Sequence, residues 1–145
     1  MSDFRIVTDK TLVDTALLLK NEPHLPEAVR QLNLCEAFAG VSGGENISVA
    51  LLAKRKGVFD IVNLGAKDSP AGQGAEKETL AYLLDYIRAQ GGGPVEIGGA
   101  ADDTARYAML LNLGFRLVGI WKDKLPPNTA KVPAGVDMIR FRLTV

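Results

Sequence analysis

The sequence predicts an α/β fold: a mixed sheet, antiparallel in its first half, with a parallel crossover in its second. Three observations carry this. Apolar runs at 35–41, 47–54 and 58–67 are separated only by the short turns "SGGEN" and "RKG", as in an antiparallel meander. Leu80, Leu83, Leu84 and Ile87 fall at i, i+3, i+4 and i+7, the spacing of one helix face. The remainder then alternates strand, helix, strand, helix, strand, which calls for a parallel crossover.

Each element has a local reason. "FRIV" at 4–7 reads as a short strand. Residues 11–20 have helical composition, with Asp9 or Thr11 as the cap. "EPHLPEAVRQLNL" holds a second short helix with Pro26 in its first turn, where a missing N–H costs nothing. After the three meander strands, "DSPAGQG" at 68–74 reads as a loop, followed by a helix over about 75–90 that "GGGP" ends. "VEIGG" is a short buried strand. Asp102 or Asp103 caps a helix running to Asn112, and Gly114 suits the position just past its end. "FRLVGIW" and "VDMIRFRLTV" are strands on either side of a loop with three prolines at 122–135.

Length and composition fit one domain over 1–145. At 47% hydrophobic and 23% charged residues, the chain can bury a core. Seventeen basic residues balance seventeen acidic ones with no polybasic segment, so no nucleic-acid footprint is expected. The single cysteine, Cys35, cannot close an intrachain disulfide and reads as a small apolar residue. The single histidine, His24, sits in a proline-flanked loop. This scarcity argues against a Ser-His-Asp triad and a His/Cys metal site, so no metal is expected. No apolar run has membrane-spanning length and no signal-peptide pattern opens the chain, so the expectation is a cytoplasmic protein without membrane contact.

The turn between the third meander strand and its helix carries Gly72 and Gly74. A helix start presents free N–H groups, and glycines let backbone approach an anion closely. One reading is a phosphate or pyrophosphate cradle formed by the amides of residues 73–77. The other is glycine for turn geometry alone. The stretch lacks the G-x-x-x-x-G-K-[ST] of a P-loop. A dinucleotide fingerprint would need a third glycine near Lys77, and would open the domain.

From Asp60 onward the chain resembles the GNAT superfamily of N-acetyltransferases. "DIVNLGAKDSPAGQGAEKETLAYLL" is similar to their strand, pyrophosphate loop and helix, and "VEIGGAADDTARYAMLLNLGFRLVGI" to the next strand, helix and "LGF" strand entry. The tail "DMIRF" is similar to the last strand of some small bacterial members, while the first fifty residues match only in layout. The resemblance implies a mostly antiparallel mixed sheet with a central splayed parallel strand pair and flanking helices. It also implies transfer of an acetyl group from acetyl-CoA, as co-substrate, to a small-molecule or peptide amine. Residues Leu64, Gly65 and Ala66 would receive the pantetheine arm. Ala71, Gly72, Gln73, Gly74, Ala75 and Glu76, with Lys77, would hold the pyrophosphate. Exposed strand edges in such folds can pair, so a homodimer is a further expectation.

The sequence departs from that pattern at three places. Glu76 stands where a small residue is usual, opposing phosphate charge if it points inward, with Lys77 near enough to offset it. Ala101 stands where the family often has asparagine. Leu110 stands where many members have the tyrosine that meets the leaving sulfur; Tyr107, one turn earlier, is the substitute candidate. Asp60, on the strand before the loop, is the general-base candidate, or an edge-exposed charge; Asp60 and Val62 would share one face, Ile61 and Asn63 the other. Glu96 and Asn63 are weaker polar candidates, and Trp121 either lines the acceptor site or packs in the core. These departures also suit the alternative of a catalytically weak or inactive GNAT-fold module that binds acyl-CoA or a protein partner.

Overall fold

The computed structural model describes residues 3–22, 24–100, 103–121 and 138–145. Its strands are β1 (Arg5–Val7), β2 (Glu36–Ser42), β3 (Glu45–Arg55), β4 (Val58–Ala66), β5 (Pro94–Ala100), β6 (Arg116–Trp121) and β7 (Met138–Thr144). Its helices are α1 (Thr15–Leu19), α2 (Leu25–Leu34), α3 (Pro70–Ala89) and α4 (Thr104–Asn112). The strands form one sheet in the order β1-β2-β3-β4-β5-β7-β6. Every neighbouring pair is antiparallel except β4 and β5, which run parallel through the α3 crossover.

That parallel pair is short. Residues 59–61 of β4 pair with residues 95–97 of β5, and there the ladder stops, although β4 continues to Ala66 and β5 to Ala100. The two strands part and leave a V-shaped slot in the middle of the sheet. A bulge begins at the same level: Leu52 opposes Ile61 and Leu51 opposes Asn63, so Val62 is the extra residue. The simple alternation read from the sequence fails here. Asn63 lies on the α1 face with Val62, because the bulge resets which residues face which way.

Helices cover both faces. On one, Leu80, Leu83, Leu84 and Ile87 of α3 and Leu110 of α4 pack on Phe59, Ile61, Leu64, Ile97 and Phe141. On the other, Leu17 and Leu18 of α1 and Ala28 of α2 pack on Ala37, Ala39, Val49 and Leu51. Cys35 is buried in this second cluster, and burial pushes its thiol pKa up, as suits a packing residue. Gly114 has φ +97°, the left-handed turn after α4 that the sequence predicts.

Two helix boundaries differ from the sequence reading. The helix expected over 11–20 is broken: a 3₁₀ turn at Lys10–Leu12, capped by Asp9, is followed by α1, capped by Asp14. The break holds because Asn46 Oδ1 accepts from the Asp14 N–H at 2.6 Å, tying the junction to β3. The second difference bears on the site. α3 starts at Pro70, not near Ala75, with Ser69 as its N-cap. Asp103 caps α4. Asp102, Ala101 and the 122–135 loop lie outside the described residues.

Candidate active site

Beside the end of β4 that β5 leaves unpaired lies a cavity of about 480 Å³. Its walls are the end of β4 (Leu64, Gly65, Ala66), Lys20 and Asn21 after α1, Gln73, Glu76 and Lys77 of α3, and Asp103, Ala105, Arg106 and Met109 around α4. A second hollow of about 280 Å³ adjoins it, sharing Lys20, Ala66, Asp68, Gln73 and Glu76 and extending over residues 67–70. Six of the sequence candidates therefore meet at one place: Leu64, Gly65, Ala66, Gln73, Glu76 and Lys77.

The end of β4 has no β5 neighbour, so its carbonyls need other donors. The Leu64 carbonyl accepts from Asn21 Nδ2 at 2.7 Å and from Arg106 Nη2 at 2.6 Å. The Ala66 carbonyl accepts from Lys20 Nζ, which also pairs with Asp68 at 2.6 Å. Asn63 Nδ2 donates to the Leu18 carbonyl at 3.2 Å, anchoring the bulge to α1. The Gly65 position is shaped by the same helix, since a Cβ there would lie 2.7 Å from the Leu17 carbonyl.

The start of α3 corrects the expected cradle. The amides of residues 73–77 lie inside the helix, where each N–H is taken by the carbonyl four residues back; Gln73, for example, donates to the Ser69 carbonyl at 3.0 Å. The Gly72 N–H donates to Ser69 Oγ at 3.0 Å, and Pro70 has none. What α3 offers an anion is therefore side chains, Gln73 and Lys77, rather than a row of amides. The two glycines also separate. At Gly72 a Cβ would lie 1.8 Å from the Lys67 carbonyl, so glycine there is required by the chain's own close approach. At Gly74 a Cβ would meet nothing within 4 Å among the described residues. Ala75 is buried on the core side of α3, and Ala71 is exposed.

Glu76 points inward. It forms an ion pair with Arg106 at 3.2 Å, the two side chains being 25% and 12% exposed. Arg106 reaches across the slot from α4, its Cδ 3.4 Å from where a Gly99 Cβ would stand. Among the described residues its buried Nε–H has no partner. Sequence reasoning missed Arg106, although one signal was present. Arg106 is the only charged residue between Asp103 and Arg116, and it precedes the core residue Leu110 by four, which puts a cation on the buried face of α4. Lys20 and Asn21 had no signal, because the groups they meet are more than forty residues away.

The two catalytic candidates do not join this group. Asp60 sits in the paired half of β4, where it meets Arg140 at 3.3 Å and Arg55 at 3.8 Å. At roughly 3.3 Å per residue, it lies about 13 Å from Leu64 along the strand. Glu96, beside it on β5, accepts from Arg140 at 3.1 Å and from Arg142 Nε at 2.8 Å, and these arginines, Arg142 first, hold its carboxyl below the usual range. This is a charge ladder across three strands, each acid held by an arginine. Tyr107 packs edge-on against Phe141, ring centroids 4.9 Å apart, and does not line the cavity. Leu110 is fully buried.

No protein-family model and no curated protein matches the chain. Solved structures do. An IAA acetyltransferase from Bacillus cereus superposes with a TM-score of 0.86 at 20% identity, over 99% of this chain and 100% of that one. A GNAT family acetyltransferase from Elizabethkingia anophelis with acetyl-CoA bound gives 0.83 at 18% identity, over the full length of both chains. A Bacillus subtilis acetyltransferase in complex with CoA gives 0.79 at 21% identity, over 99% of this chain and 98% of that one. At such identities the likeness concerns the fold: this chain has the GNAT fold.

Proposed function

We propose that the chain transfers an acetyl group from acetyl-CoA to an amine, with the thioester arm lying in the slot between β4 and β5. One observation carries this reading. The end of β4 that β5 does not pair turns two carbonyls, of Leu64 and Ala66, toward a cavity of about 480 Å³. The adjoining hollow leads on to the start of α3, where phosphates would meet Lys20, Gln73 and Lys77 in place of amides. Gly74, where a Cβ would meet nothing within 4 Å among the described residues, leaves room there. When bound, the co-substrate supplies an activated acyl carbon. The chain's part is to hold the arm straight on β4, exclude water from the slot and orient the acyl end. Asp60 is engaged with Arg140 away from the cavity, so in this reading the amine loses its proton to water.

The acceptor class, a small-molecule or peptide amine, belongs to this proposal. A second reading, a binding module without turnover, is favoured by Leu110, which offers no donor to a leaving sulfur. Calorimetric titration with acetyl-CoA tests what both share: micromolar binding supports the site, and no heat at several temperatures contradicts it. A panel of amines, followed by thiol release, then separates turnover from binding alone.

A further inference from the structure

We propose that Arg106, not Tyr107, is the residue that meets the leaving sulfur, taking up the negative charge of the thiolate instead of giving it a proton. The proposal rests on the reading above that the thioester arm lies along the end of β4.

Its placement follows from the order of groups along the slot. The start of α3 and the second hollow border Ala66. Two residues deeper is Leu64, and beyond it the strands close into the paired ladder at Ile61 and Ile97. An arm entering from α3 therefore ends with its acyl group near Leu64. Among the described residues, Arg106 is the cation at that depth, 2.6 Å from the Leu64 carbonyl and paired with Glu76. Lys20 is held at the mouth by Ala66 and Asp68, and Asn21, although it also reaches Leu64, is neutral. Along α4, Leu110 stands one turn past Arg106 and offers only methyl groups, while Tyr107 is turned to Phe141.

The donor state of Arg106 fits the task. Its Nη2 is shared between the Leu64 carbonyl and Glu76, which aim the guanidinium across the slot, and among the described residues its buried Nε–H has no partner. A buried N–H without an acceptor is costly unless something arrives to accept it. Thiolates are modest bases, so one can leave without a proton if its charge is offset. In the transfer, the amine nitrogen forms the new bond to the acyl carbon and the carbon–sulfur bond breaks. The electron pair leaves on sulfur, opposite the guanidinium, and the amine proton passes to water. The guanidinium transfers no proton in this step; it acts as a fixed charge and hydrogen-bond donor. Glu76 is then a positioning residue, fixing Arg106 while weakening its field.

The test uses free CoA, whose thiol reports the charge at the same place without an acceptor. Thiolate absorbance is followed against pH for CoA bound to the full chain, as a difference spectrum against CoA-free protein to remove Cys35. The bound thiol is expected to titrate at least about one unit below free CoA, as a cation within reach produces. Arg106→Gln should return it to the free value, Arg106→Lys should keep part of the shift, and Glu76→Gln should lower it further. Binding with no shift in the wild type, or with the same shift in Arg106→Gln, overturns the assignment and leaves the CoA site standing. A tenfold tightening of acetyl-CoA binding in Arg106→Gln without a change in thiol pKa identifies Arg106 as a mere plug, and also overturns it. If neither wild type nor Glu76→Gln binds CoA, the reading of the slot falls and the assignment with it.

Discussion

β4 is a single strand of nine residues, yet its two halves live in different surroundings. In the first half, residues 59–61 are paired on both sides, by β3 and β5, and the polar residue among them, Asp60, is locked between Arg140 and Arg55. In the second half β5 has turned away, and Leu64 and Ala66 present carbonyls that accept from side chains just after α1 and from α4. The first half is finished by its own sheet. The second is finished by side chains from outside the sheet, Lys20, Asn21 and Arg106, which under the proposed function a bound arm would displace or recruit. A site arises where a sheet stops satisfying its own backbone, and the bulge at Val62 marks that border.

Four substitutions break or sharpen this comparison. The largest effect is expected at Gly65→Ala in the open half. The new Cβ would collide with the Leu17 carbonyl and push α1 off the strand, costing about 3 kcal/mol in a denaturant titration and weakening acetyl-CoA binding too. In the closed half, Arg140→Met leaves Asp60 and Glu96 side by side on neighbouring strands. This should cost about 2 kcal/mol, less than for a fully buried pair because these groups retain some exposure, and should leave acetyl-CoA affinity unchanged. Equal losses of binding in both variants would mean that the halves are not independent.

Smaller effects come next. Gly74→Ala removes a helix-interior glycine where a Cβ meets nothing within 4 Å among the described residues. Thermal unfolding should show a gain of about 1 kcal/mol, while calorimetry should show weaker acetyl-CoA binding if phosphates pass over that face. Unchanged affinity would remove Gly74 from the site. Glu96→Gln gives the subtlest change. The carboxyl of Glu96 is held below its usual 4.5 by Arg142 and Arg140. A depressed carboxylate stabilises the fold above the unfolded pKa and stops doing so as pH falls through the folded one. The stability gap between wild type and Glu96→Gln should therefore be full above about pH 4.5 and close below it; a gap independent of pH would contradict the ladder.

The sequence made the sheet and its parallel crossover legible, because hairpin turns and the spacing of Leu80, Leu83, Leu84 and Ile87 are local signals. Leu64, Gly65 and Ala66 had no such local signal: only the resemblance set them at the end of a splayed strand. Three further things were not legible. The bulge at Val62 is fixed by pairing with β3, which periodicity along β4 does not encode. The start of α3 was read too late because glycines weigh against helix locally, while Ser69 as cap and Pro70 at the first turn set the real beginning. Arg106 and Asn21 were missed as partners of Leu64 because nothing near them in sequence mentions β4. Asp60 and Tyr107 looked catalytic by position, but their partners, Arg140 and Phe141, come from the last strand of the chain.

The central claim is that only the unpaired half of β4 receives the thioester arm. Amide hydrogen exchange, resolved by residue with and without saturating acetyl-CoA, tests it most directly. The account predicts that the Leu64 and Ala66 amides slow by tenfold or more, while those of Phe59 and Ile61, already held in the sheet, stay as they were. Binding that leaves Leu64 and Ala66 unchanged, or that protects both halves equally, would contradict it.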